Sequence, residues 1–176
     1  VVWNGDTVTT AIFKEPVAGP VRLTKANLDR DRQGDPRVHG APNKTVCVYP
    51  SEHYAFWREA LPGVELPWGV FGENFSTAGM MENEINIGDQ FRIGSGLVVV
   101  TQPRMPCYKL GVKFGREDVE ELYLKTRRTG YYFSVLEEGV VSAGDRFERV
   151  SRHPAAVTVA DITSLQVSEQ PDLELM

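Results

Sequence analysis

The chain has 176 residues and a mass of 19.6 kDa, enough for one domain with a substantial core and short for two. Lys and Arg number 19 and Asp and Glu 24, a net charge of −5 that argues against a general nucleic-acid or polyanion binder. Sixteen Gly and 11 Pro exclude a helical bundle, while two Cys exclude a disulfide framework and suit a reducing, cytoplasmic setting. Apolar runs such as Leu97–Val100 are far too short to span a bilayer, so no membrane role is expected.

Thr7–Phe13, rich in Thr, Val and Ile, predicts a strand, Glu15–Pro20 a turn, and Val21–Thr24 a return to extended chain. Asn27–Asn43 is a polar segment of a length that is more often functional than idle in a compact domain. Thr45–Tyr49 predicts an apolar strand. Pro50-Ser51 then opens a helix to Leu61, with Ser51 as N-cap and Tyr54, Trp57 and Leu61 on one face. Leu66–Phe75, dense in Gly, Pro and aromatic residues, predicts a loop or short strand against the core.

Glu84–Gln102 carries the clearest sheet pattern. Ile85, Ile87, Phe91 and Ile93 alternate with polar residues, and a Ser95-Gly96 turn leads into Leu97–Thr101. Phe114–Arg128 predicts a second helix with Val119, Leu122 and Tyr123 inward. Tyr131–Leu136 and Val140–Val150 predict another hairpin, and Val157–Ile162 a last strand. Gly88-Asp89-Gln90-Phe91 is echoed by Gly144-Asp145-Arg146-Phe147, each a Gly-Asp turn before a strand with an inward Phe. Many short strands broken by two helices predict a mainly β protein, a closed or nearly closed barrel.

P-loop, dinucleotide-binding and nucleophile-elbow patterns are absent, and Cys47, Cys107 and three scattered His give no structural zinc spacing. What stands out is Thr101-Gln102-Pro103-Arg104-Met105-Pro106-Cys107. A strand runs into a segment stiffened by two prolines, with a thiol at its end and an Arg three residues before it. A cation near a thiol favours the thiolate, which ligates soft metals; the alternative is a small core hydrophobe. Cys47, within Val46-Cys47-Val48, reads as core. Arg37–Lys44, His53 and Glu73-Asn74 each read either as binding groups or as ordinary turn and surface polarity.

Taken in order, Val38-His39-Gly40, Tyr49-Pro50-Ser51-Glu52-His53-Tyr54, Gly72-Glu73-Asn74-Phe75, Ile87-Gly88-Asp89, Pro103-Arg104-x-Pro106-Cys107 and Arg128-Thr129-Gly130-Tyr131 resemble the MOSC domain. That family is named for the C-terminal region of molybdenum-cofactor sulfurase, and the likeness is to its stand-alone bacterial YiiM type. The resemblance runs from about Thr7 to Ile162. It implies a MOSC β-barrel, pyruvate-kinase-barrel-like, over residues 1–162 with two or three peripheral helices, and the start of a C-terminal helical extension at 163–176.

The resemblance further implies a molybdenum cofactor (Mo-molybdopterin) with Cys107 as the protein ligand to the metal. His39, Lys44, Asn74 and Arg104 would bind the cofactor, and His53 and Glu73 would act with Cys107 as catalytic or proton-handling groups. The implied activity is reduction of small N-hydroxylated, hydroxylaminopurine-like compounds to amines by oxygen-atom abstraction. Two cysteines cannot hold an iron–sulfur cluster, so electrons would come from a separate reductase. The alternative is a sulfur carrier or cofactor-transfer protein without turnover, which would use the same thiol.

Overall fold

The computed structural model describes residues 1–31 and 42–168. The first strands, β1 (Val2–Trp3) and β2 (Asp6–Thr7), form a hairpin whose turn residues Asn4 and Gly5 both have positive φ, and β3 (Val21–Leu23) follows. After a short 3-10 turn come β4 (Val46–Pro50), α1 (His53–Ala60), β5 (Phe75–Thr77), β6 (Gln90–Ile93) and β7 (Gly96–Pro103). Then follow α2 (Lys109–Phe114), α3 (Val119–Thr126), β8 (Tyr131–Glu137), β9 (Gly139–Val141), β10 (Glu148–Ser151) and α4 (Val159–Ser168).

Six strands form one sheet in the order β10-β6-β7-β8-β4-β5, antiparallel except for the β4–β5 pair. Register shifts between Leu97 and Val98 and between Val100 and Gln102 increase the twist of β7 against β8 and curl the sheet into a half-barrel. Its two edges come together through side chains: Phe75 on β5 meets Phe147, just before β10, at 5.9 Å between ring centroids. The barrel is therefore nearly closed, by aromatic contact where hydrogen bonds stop.

Alternation along β4 serves two cores. Val46 and Val48 face the barrel interior with Leu23, Phe91, Val98 and Phe133. Tyr49 faces the other way, into a cluster with Tyr54 and Trp57 of α1, Phe71 and Tyr123 of α3. Burial on both sides explains why every residue of β4 is buried and why its sequence lacks polar alternation. Trp57 Nε1 donates to Tyr49 Oη at 2.6 Å, so the helix layer is fixed to the sheet by a polar contact inside an aromatic core.

Several predicted elements take a different form. Of Thr7–Phe13 only Thr7 is in a strand. The helix expected over Phe114–Arg128 is two, because α2 stops on Gly115 at φ +64 before α3 begins. Ser51 does not cap α1; Glu52 holds the cap position, with no side-chain cap bond. Tyr131–Leu136 and Val140–Val150 do not pair as a hairpin: β8 pairs with β4 and β7, β9 with β3 and β10 with β6. Val157–Ile162, expected as a strand, leads into α4, because Thr158 and Asp161 cap each other. Thr158 Oγ1 accepts from the Asp161 amide at 3.0 Å and Asp161 Oδ2 from the Thr158 amide at 2.9 Å. The described residues thus carry four α-helices where two or three were expected.

The Gly-Asp echo is structural. Asp89 Oδ2 accepts from the Asn86 amide at 3.2 Å and Asp145 Oδ2 from the Ser142 amide at 2.8 Å, the same i to i−3 turn closure in each copy. Gly88 and Gly144 precede them at φ +89 and +91, and the following Phe91 and Phe147 meet edge to face at 6.4 Å.

Candidate functional site

At the end of β7 the chain leaves the sheet, and Arg104 keeps one backbone tie, donating its amide to the Gly130 carbonyl at 3.0 Å. Pro103 and Pro106 bracket the segment, and the Cys107 carbonyl accepts from the Leu110 amide at 2.9 Å as the chain enters α2. This stiff connection holds Arg104 and Cys107 at a cavity of about 90 Å³ whose walls also include Lys14, Lys44, Cys47 and Lys109. That volume is below the roughly 300–1,000 Å³ of pockets that enclose whole small-molecule ligands, so it suits the compact charged end of one.

The cavity is cationic. Among the described residues, Lys14, Lys44, Arg104 and Lys109 line it against Asp31 alone among acids, in a chain that is acidic overall. Arg104 is 7% exposed, and its Nη1 is buried with no hydrogen-bond partner among the described residues. Leaving a buried guanidinium nitrogen unpaired is costly, and an anionic oxygen would satisfy it. Gly72 makes room beside it: at φ +81, an added Cβ would come within 2.7 Å of Ile12 Cγ1 and 3.6 Å of Arg104 Nη2.

The two thiols differ. Burial pushes the Cys47 thiol above its ordinary value of 9.0, with the Arg104 cation pulling it partly back. Cys107 is half-buried at the same cavity. Burial also raises Tyr132, another residue of the cavity wall.

The MOSC domain pattern is matched over residues 35–148. The chain is 46% identical over 160 residues to the uncharacterized protein YflK of Bacillus subtilis (strain 168), covering 89% of this chain and 71% of that protein. It is 42% identical over 156 residues to protein YiiM of Escherichia coli (strain K12), covering 88% and 67%. The chain belongs to the MOSC domain family. Within that family it is YiiM-like in structure as well: the crystal structure of YiiM from Geobacillus stearothermophilus superposes with a TM-score of 0.79 at 36% identity, covering 92% of this chain and 76% of that one. A more distant match, 31% identical over 151 residues, is a Gibberella moniliformis (strain M3125 / FGSC 7600) protein named reductase, covering 84% of this chain and 27% of that protein.

Of the residues that the MOSC resemblance singles out, Lys44, Arg104 and Cys107 are brought together at the first cavity. Asn74 also lines it, but both ends of its amide are engaged: Oδ1 accepts from the Cys47 amide at 2.9 Å and Nδ2 donates to Asp31 Oδ2 at 2.8 Å. Asn74 thus builds the wall. Glu73 does not reach this cavity; it lines a second one next door. His53 lines neither cavity. Its Nε2 lies 2.8 Å from Glu82 Oε2, both side chains being buried, and Glu82 Oε1 accepts from the Gly130 amide at 2.8 Å. His53 is therefore linked to Arg104 through Glu82 and Gly130. His39 lies outside the described residues.

Among the other residues of the wall, Lys14, Asp31, Gly72 and Lys109 have no site role in the sequence reading. Lys109 stands two places after Cys107, Gly72 opens the Gly72-Glu73-Asn74-Phe75 motif and Asp31 lies in the polar Asn27–Asn43 segment, so these were within reach; Lys14 carries no local pattern. Cys47 reads as core from its apolar neighbours and is buried, but its strand position turns it toward the cavity. Among the described residues no group of three or more His, Cys, Asp or Glu is arranged to hold a metal ion, and no helix is long and apolar enough to cross a membrane.

Proposed function

We propose that this MOSC protein is a molybdenum-cofactor-dependent reductase of small N-hydroxylated compounds, with Cys107 as the protein ligand to the metal. The observation that carries the reading is the unpartnered Nη1 of buried Arg104 in a cationic cavity shared with a half-buried thiol. Such a donor set suits a ligand that is anionic at one end and binds a thiolate at the other, as a phosphate-bearing metal cofactor does. A relative named reductase supports the chemical direction.

When bound, the cofactor supplies the two-electron chemistry that removes oxygen from an N–OH group. The chain's own residues supply the rest. Cys107 offers its Sγ as a thiolate ligand from a backbone that two prolines hold in place. Arg104, Lys14, Lys44 and Lys109 neutralise the anionic end, and Arg104 does so without reorganising, because Gly130 already fixes its backbone. Lys14 is paired with Asp31 and Asp31 with Asn74, a network that keeps this wall in shape. Electrons come from a separate reductase.

Molybdenum content tests the reading on protein purified from a host that makes the cofactor. Near-stoichiometric metal in the wild type, lost in Cys107→Ser, is expected, together with reduction of an N-hydroxylated purine by an artificial reductant. A wild type free of molybdenum, with cofactor synthesis confirmed in the host, overturns it. Metal bound through Cys107 without turnover would leave a carrier.

A further inference from the structure

We propose that Tyr123 is a positioning residue for Arg104: it carries the guanidinium on its ring and leaves the N–H groups free to hold an anion. Tyr123 lies behind the cavity wall, on α3, and is 0% exposed, so its part in the site runs through Arg104. The assignment rests on the proposed function only in taking Arg104 as the group that meets the anionic end.

Two contacts join the pair. Arg104 Cζ stands over the Tyr123 ring, 5.9 Å from its centroid, where the ring face attracts a cation. The Tyr123 hydroxyl donates to the Thr129 carbonyl at 2.9 Å, and the carbonyl of the next residue, Gly130, accepts from the Arg104 amide at 3.0 Å. One side chain thus holds the head of Arg104 and steadies the segment that ties its backbone. The ring is itself fixed: Tyr49 and Trp57 stack against it at 5.9 and 5.7 Å between centroids, with planes 22° and 23° apart.

The chemistry of this seat bears on the ligand. Burying a cation usually calls for a carboxylate, which takes up its charge and its N–H groups together. Among the described residues no carboxylate forms an ion pair with Arg104. Its neighbours Tyr123 and Cys47 are a phenol and a thiol, both kept neutral by burial. A ring face offsets part of the desolvation without accepting an N–H bond, in keeping with the unpartnered Nη1. Arg104 therefore meets the cavity with its charge uncompensated and its head held still. Replacing the ring by an aliphatic side chain should loosen the grip on an anion even where the fold survives.

Calorimetric titration of the cofactor-free whole chain with inorganic phosphate tests the assignment. The wild type should bind phosphate saturably and one to one. Tyr123→Phe keeps the ring and should bind within about threefold of the wild type, whereas Tyr123→Leu should bind about five- to thirtyfold more weakly. Val119→Ala opens the same buried cluster from the same helix but leaves the ring, so it should lose stability in urea and keep its phosphate affinity. In the wild type the Arg104 Nε–H proton, identified by its loss in Arg104→Lys, should resonate upfield of the other arginines because the ring shields it. That signal reads the contact even if Tyr123→Leu fails to fold. No saturable phosphate binding, an Arg104 signal among those of the other arginines, a folded Tyr123→Leu that binds as the wild type does, or an equal loss in Val119→Ala would overturn the proposal. A chain that meets these expectations yet takes up no molybdenum would sink only the proposed function.

Discussion

At Gly130 the backbone turns through φ +67, and an added Cβ would collide with the Val48 carbonyl oxygen and sit 2.9 Å from Tyr49 Cδ2. Both obstacles belong to a buried strand that cannot move aside. The same residue donates its amide to Glu82 and accepts the amide of Arg104. Gly130→Ala should therefore cost about 2–4 kcal/mol, read as a lowered urea midpoint, and should also weaken molybdenum retention. Glu82→Ala removes the partner of two buried donors, the Gly130 amide and the His53 ring, and should cost about 2–4 kcal/mol. A urea midpoint within experimental error of wild type would show that Glu82 does not hold this corner. Alkylation separates the thiols: burial holds the Cys47 thiol in its protonated form, so one equivalent of iodoacetamide at neutral pH should label Cys107, with Cys47 reacting only on unfolding. Labelling of Cys47 in the folded protein would contradict that burial.

The paired Gly-Asp turns make an internal control at the scale of the element. Asp145 closes its turn half-buried, with the Ser142 amide as its partner. Asp89 is fully buried and accepts from two amides, Asn86 and His153, with Arg149 3.5 Å away. Asp89→Ala should cost about 2–4 kcal/mol and Asp145→Ala about 1 kcal/mol, measured by thermal unfolding, and equal losses would mean that the second tie, to the His153 amide, adds nothing. The echo itself was legible in the sequence because both copies are local. So were β4, β6, β7, β8 and the helix on Tyr54 and Trp57, where period and turn residues agree. The rest depended on partners far along the chain. Val140–Val150 looks like the return strand of a hairpin with Tyr131–Leu136, yet β9 finds Val21–Leu23 more than a hundred residues earlier. Val157–Ile162 has the apolar content of a strand, and only the reciprocal Thr158–Asp161 cap decides for helix. At the site, the proline-flanked Arg104 and Cys107 stand out in one short window. Lys14 and Glu82 do not, because their value lies in contacts made across the fold.

At the scale of the whole molecule, the buried tyrosines of both cores, Tyr49 and Tyr123 between sheet and helices and Tyr131 in the barrel, set how the fold meets alkali. Burial raises Tyr49, Tyr123 and Tyr131 well above the ordinary value of 10.0, and raises Cys47 above 9.0. In the unfolded chain these groups return to their ordinary values. The stability they confer as neutral groups is therefore complete below about pH 9 and is lost as pH climbs toward their folded values. Each group ionised only in the unfolded state subtracts about 1.4 kcal/mol per pH unit, so three tyrosines subtract about 4 kcal/mol per unit above pH 10. A domain stable by the usual 5–15 kcal/mol cannot absorb that over more than a few units, and it should unfold in one step between about pH 11 and 13. The net charge of −5 at neutral pH becomes more negative over the same range and works in the same direction. Tyrosinate absorbance and far-ultraviolet circular dichroism, followed together through an alkaline titration, should change at one midpoint for these buried rings. Tyrosinate rising through several pH units before any secondary structure is lost would mean that water reaches the cluster in the folded state, and that the polar tie between Trp57 and Tyr49 does not seal the helix layer to the sheet.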